Sequence, residues 1–179
     1  MTRETDLVQQ ARGYMEHQAS KGLASLSALI DRTGADWSRC LKTISEEQAT
    51  YRPNAEWSVK DVLGHFIVAS HEVNSKIAAY AKGPDFSATF DTDWAHGMSE
   101  ESERERPIDE LRSRVGTLFE ETKRLVDQLE EGDRLDEAFR HPAFGDLNLT
   151  QWIAFQRIHS MDHIQQIDKI KAEPEYPAS

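Results

Sequence analysis

A single cysteine, Cys40, stands among 179 residues. It excludes an intrachain disulfide and suits a reducing compartment; as a lone thiol it reads as a small buried hydrophobe. No apolar run approaches the ~20 residues that a membrane-spanning helix needs. The opening Met1-Thr2-Arg3-Glu4-Thr5-Asp6 has no apolar core of a signal peptide, and the expectation is a cytoplasmic protein with no membrane partner. Basic residues are scarce: 21 Lys and Arg face 32 Asp and Glu, for a net charge of −11. Such a surface repels phosphate backbones, so nucleic acid is not an expected partner. Also missing are a Gly-rich phosphate loop, a Gly-x-Ser-x-Gly nucleophile elbow, the Glu-x-x-His pairs of di-iron bundles and the glutamate that metalloproteases place after their first histidine. No segment alternates with period 2, and there is no internal repeat.

What is present is helical. Hydrophobic residues make up 38% and charged residues 30% of the chain, enough apolar side chains for one well-buried core. Leu7, Val8, Ala11, Tyr14 and Met15 mark a short N-terminal helix ending near Ser20-Lys21-Gly22. Leu23, Leu26, Ile30, Thr33, Trp37, Leu41 and Ile44 follow steps of three and four, with Gly34 as a place to bend or split that helix. Ser58 reads as an N-cap with Asp61 in the positive first turn. Val62, Phe66, Ala69, Val73, Ile77 and Tyr80 then carry a helix to Gly83-Pro84. Residues 83–106, with Phe86, Phe90 and Trp94, show no helical period and read as a long functional or crossover loop. Pro107 opens a further helix, whose seam is Ile108, Leu111, Val115, Leu118, Thr122, Leu125 and Leu129. The last helix runs from about Thr150 to Ala172, and the tail after it reads as frayed. The expected fold is all-α: a four-helix bundle plus a short extra N-terminal helix. Its parts are an extension at 1–20, a bundle domain at 21–172 and a tail at 173–179.

Three histidines carry the chemistry. His159 and His163 lie four apart, so they leave one helix face a turn apart. They fall on the inward row Trp152, Phe155 or Gln156, His159, His163, Gln166, Ile170. His65 lies on or beside the apolar stripe of an upstream helix. Inward imidazoles need polar partners: either they are hydrogen-bonded core histidines, or one divalent cation satisfies three at once while keeping a coordination position open, as catalytic sites do. Imidazole suits several metals, with zinc or nickel the working choice.

Tyr51-Arg52-Pro53, the helix start from Trp57 to His65, His141-Pro142-Ala143-Phe144-Gly145 and His159 through Gln166 form an ordered set. In that order they resemble the DinB/YfiT-like superfamily of small four-helix-bundle metalloproteins, over roughly residues 20 to 172. The resemblance implies that His65, His159 and His163 are the metal ligands. It also implies a long crossover between the second and third bundle helices, which suits the 83–106 loop. Helices of ~23 residues span ~35 Å, and 24 loop residues reach about twice that. Homodimers and metal-dependent transfer of low-molecular-weight thiols are the further implications. The expected function is therefore a metal-dependent S-transferase acting on a small-molecule thiol and an electrophile. A metal-dependent hydrolase and a non-catalytic, stress-linked metal-binding dimer are the alternatives. No general base stands out. Asp162 reads as an exposed ion-pairing residue, His71 as a surface residue and His141 as a turn stabiliser beside Pro142. His17 and His96 have no readable role. Trp57 and Trp152 read as core.

Overall fold

A computed structural model describes residues 3–89, 95 and 97–178. Eight helices and one small hairpin are described: α1 (Arg3–Ala19), α2 (Leu23–Leu41), α3 (Glu46–Thr50), α4 (Val59–Lys82), α5 (Pro84–Ala88), α6 (Glu100–Arg104), α7 (Ile108–Asp127), β1 (Ala138–His141), β2 (Gly145–Asn148) and α8 (Leu149–Lys171). The long helices α2, α4, α7 and α8 form the bundle. The seams read from sequence on α2 and α7 are the buried faces found, from Leu26 to Leu41 and from Ile108 to Leu125. Ser58 caps α4 as expected, in a capping box with Asp61.

The helices are not arranged in chain order. α2 packs on α7 and α8, and α4 packs on the same two, so α2 lies diagonally from α4 and α7 from α8. Their directions follow from the bonds between them. Asn74 of α4 meets Thr122 of α7, and Glu46 bonds both Lys60 at the start of α4 and Ile108 at the start of α7, so these two run parallel. Asn74 also meets Gln156 of α8, while His65 sits beside His159 and His163, so α4 and α8 are antiparallel. The order is up, down, down, up. Parallel α4 and α7 force the chain between them to travel back along the bundle, which is the crossover expected.

That crossover is not a plain loop. It holds α5 and α6, five residues each. Neither could show a period in so short a span. α6 rests on α4 where Gly64 has no side chain: a Cβ there would lie 2.9 Å from the Glu100 carbonyl oxygen. The Glu103 carboxylate of α6 is fully buried. It accepts from Arg114 Nε and Nη2 at 2.6 and 2.8 Å and from Arg106 Nε at 3.1 Å, a forked geometry that suits guanidinium. Phe90, Trp94 and His96 lie outside the described residues.

Other differences have local causes. α2 is unbroken at Gly34, where the missing Cβ admits Phe119, whose own Cβ would lie 3.1 Å away. α1 is 17 residues long rather than short and packs mainly on α8. α8 is thus covered by α1, α2 and α4, and it is buried nearly all round, including Ile153, Ala154, Ile164 and Ile167. The β-hairpin was not expected. β1 alternates between exposed and half-buried, β2 buries only Leu147, and Gly145 at φ 74° makes the hairpin turn. Tyr80, expected inside, is 41% exposed. The tail is docked, not frayed: Tyr176 meets Tyr51 edge-on, and Gln48 Nε2 donates to Pro177 O at 2.9 Å. A buried polar chain crosses the core. Gln156 Nε2 donates to Asn74 Oδ1, Asn74 Nδ2 to Thr122 Oγ1, and Thr122 Oγ1 to Leu118 O.

Removing one member of a buried ion pair strands its partner. Glu103→Ala is expected to destabilise the protein by about 3 kcal/mol, at the low end of that class because Arg106 keeps some water contact. Glu110→Ala, which ends an exposed pair with Arg106, is expected to cost under ~1 kcal/mol. Urea unfolding of the two variants side by side checks the contrast.

Candidate metal centre

α4 delivers His65 from its second turn, and α8 delivers His159 and His163 one turn apart. One ring nitrogen of each histidine lies within 4.8 Å of the others. Nitrogens at ~2.1 Å from a common ion stand about 3–4 Å apart, so side-chain shifts of about 1 Å close the set. His163 Nε2 and His159 Nε2 are already 2.9 Å apart. The sequence therefore named the three imidazoles that the fold gathers.

Two of the outer nitrogens have partners. His65 Nδ1 lies 2.9 Å from Glu100 Oε1, and His163 Nδ1 lies 3.1 Å from Gln166 Oε1. A carboxylate only accepts, so His65 carries its proton on Nδ1 and turns a lone pair on Nε2 toward the cluster. The amide oxygen asks the same of His163. His159 is held by rings instead: it stacks on Phe155 at 13° and leans on Phe66.

This apolar setting keeps His159 and His163 neutral. Burial, then the neighbouring His163, His65 and His141, push the His159 pKa down to about 3. Burial also pushes His163 down, against the Gln166 bond, with His65 lowering and Asp162 raising it further. Neutral nitrogens with lone pairs are what a cation requires. The donor set fits a divalent ion, and it meets solvent through an open cleft of about 440 Å³ lined by Glu56, Trp57, His163 and Gln166.

Trp57 departs from its expected core role. It is 41% exposed and its ring lies 5.4 Å from that of His65; it is the residue just ahead of the Ser58 cap, outside any helical period. Trp152 is core, and its Nε1 donates to Phe139 O. His141 does hold the hairpin turn: its Nδ1 accepts from the Ala143 and Phe144 amides. Asp162 is exposed and makes no ion pair with another described residue. Cys40 is half-buried, and burial pushes its thiol up, the opposite of an activated nucleophile. Glu100 and Gln166 were missed as partners of the histidines. Gln166, three residues after His163, was at least visible on the same row. Glu100, 35 residues from His65, was not.

The depressed His159 gives acid sensitivity a definite sign. The unfolded chain takes up a proton here as pH falls through ~6.5, whereas the folded chain holds His159 neutral down to about 3. The unfolded state binds more protons in that window, so stability falls as pH falls through it. In chelator-stripped protein the urea midpoint is expected to drop steadily below pH 6.5. His159→Phe, placed between Phe66 and Phe155, should drop less steeply. Equal slopes would assign the sensitivity to other groups.

The sequence pattern of the DinB superfamily matches residues 29–167. YuaE of Bacillus subtilis (strain 168), itself uncharacterized, is 25% identical over 147 residues, 75% of this chain and 90% of its own length. A solved structure, YfiT from Bacillus subtilis, is described as a probable metal-dependent hydrolase with an unusual four-helix bundle topology. It matches with a TM-score of 0.60 and 14% identity, over 84% of this chain and 86% of its own. At that identity the likeness shows the fold. The family pattern spans most of the chain and both histidine-bearing helices, and the chain belongs to the DinB superfamily.

Proposed function

We propose that this chain is a divalent-metal-dependent enzyme in which His65, His159 and His163 are the ligands, with zinc or nickel the expected ion. The observation that carries the reading is the convergence of three imidazole nitrogens within 4.8 Å beside a solvent-open cleft. A structural site closes its coordination sphere with protein, whereas an open side is what a reacting molecule needs. A cation held there would lower the pKa of a thiol or water that reaches it.

The residues supply the rest. Phe66 and Phe155 keep water from one side of His159, and Gln166 and Glu100 hold the outer N–H groups. Trp57 offers an exposed ring at the cleft edge for an apolar part of a substrate. The reaction we favour is attack of a small-molecule thiol on an electrophile, giving an S-transferase; this finer step rests on the resemblance of the chain to its superfamily. Hydrolysis is the second reading, favoured by the description of YfiT. A homodimer belongs to the same proposal and is read by light scattering.

Protein purified without added metal is expected to carry about one divalent ion per chain by elemental analysis. His159→Ala should lose most of it while keeping its helical circular dichroism, because the apolar seam is independent of the ion. A mutant that unfolds at room temperature would mark the site as structural instead.

The two reactions separate in one assay. With an electrophile such as a chlorodinitrobenzene, turnover by the loaded protein should need added thiol and fall at least ~100-fold in His65→Ala and His163→Ala, as expected when a protein ligand to the metal is removed. Ester cleavage without thiol would select the hydrolase.

A further inference from the structure

The most exposed contact of the cluster comes from the crossover, not from the bundle. The Glu100 side chain is 57% exposed, yet its Oε1 stands 2.9 Å from His65 Nδ1. A lone exposed carboxylate holds a partner weakly, since ordering two side chains costs as much as the pair returns. What differs here is the platform beneath it. α6 is one turn of helix begun by a capping box, Ser99 with Ser102. Its Glu103, one turn after Glu100, is anchored in the interior by Arg114 and Arg106. Its backbone lies on Gly64, with the Glu100 carbonyl where a Cβ would stand 2.9 Å away and the Arg104 amide at 3.3 Å. Gly64 is the neighbour of His65 in sequence. The same contact that seats α6 therefore sets the height of Glu100 over the His65 ring.

We propose that Glu100 is a positioning residue. It fixes His65 in the Nδ1–H tautomer and in its ring orientation, and the α6 platform, seated on Gly64 and anchored through Glu103, holds it there. The crossover then serves the site: it places a carboxylate behind one of the three imidazoles, where such a partner raises ligand basicity and removes the freedom of the ring to flip. The inference rests on the metal reading for its consequence, but the tautomer itself does not depend on a bound ion.

The test uses the full chain and the variants Glu100→Ala and Glu100→Gln. Position 100 is exposed, so neither is expected to unfold the protein. The first readout is the histidine side-chain nitrogen spectrum of metal-free protein at pH 8, above the ordinary imidazole range. His65 is expected as Nδ1–H in the wild type, as a mixture of tautomers in Glu100→Ala, and as Nδ1–H again in Glu100→Gln, whose amide oxygen still accepts. The second readout is zinc affinity by competition with a chromophoric chelator. Glu100→Ala is expected to bind about 10–100-fold more weakly, with Glu100→Gln between it and the wild type. A His65 tautomer unchanged in Glu100→Ala, or a zinc affinity within about twofold of the wild type, would overturn the proposal. A wild-type chain that binds no zinc would end the metal reading instead, and the tautomer spectra would still decide the role of Glu100.

Discussion

α4 and α7 lie side by side and point the same way, and most of the architecture answers to that constraint. Two parallel neighbours cannot be joined by a tight turn, so the chain must return along the bundle before α7 can begin. It does not return idly. Glu46 of α3 meets it at the far end, where one carboxylate accepts from Lys60 Nζ and from the Ile108 amide. That second bond gives the start of α7 a partner that Pro107, with no side-chain donor or acceptor, does not provide. The Lys60 and Ile108 bonds hold the Glu46 carboxyl below its usual range. Arg112 performs the matching service for α2, donating to the Leu41 carbonyl at its end and to the Ile44 carbonyl in the turn that follows.

The histidine cluster puts a strongly polar function in an apolar wall. His159 touches Phe66 and Phe155, and Phe66 in turn packs on Trp37 at 4.4 Å between ring centres. Burial favours the neutral forms of His159 and His163 and makes their charged forms costly. The site is thereby prepared for a cation and opposed to a proton. On the cleft side the cover ends, and Trp57 stands over an opening rather than a seal.

How much of this could be read from the chain differs by element. α2 and α7 were legible because each buries one stripe and leaves the rest wet, so their periodicity is strong. α8 was harder to delimit by face: packed on three sides, it has apolar residues all round, and only the four-residue step from His159 to His163 marked its site. The hairpin was invisible because its strands are four residues long and neither face is fully buried. α5 and α6 are single turns, below the length at which a period exists. Trp57, Tyr176 and Glu100 act through contacts made across the fold, and no spacing along the chain foretells those. The three histidines were legible because two share a helix and the third sits on a stripe that had to face them.

The polar chain through the core, Gln156 to Asn74 to Thr122, has a bearing on the cleft although it lies nine residues along α4 from His65, some 13 Å at helical rise. Apolar helix surfaces of similar shape tolerate more than one alignment, and a slide of α4 along α8 by a single turn would move His65 by about 5.4 Å. That is enough to take its nitrogen out of reach of the other two. The same slide would break the Asn74 amide from both partners and leave it bare in a dry interior, which is a heavy penalty. The amide thus works as an alignment pin: it gives the helices one permitted setting, and in that setting the imidazoles meet.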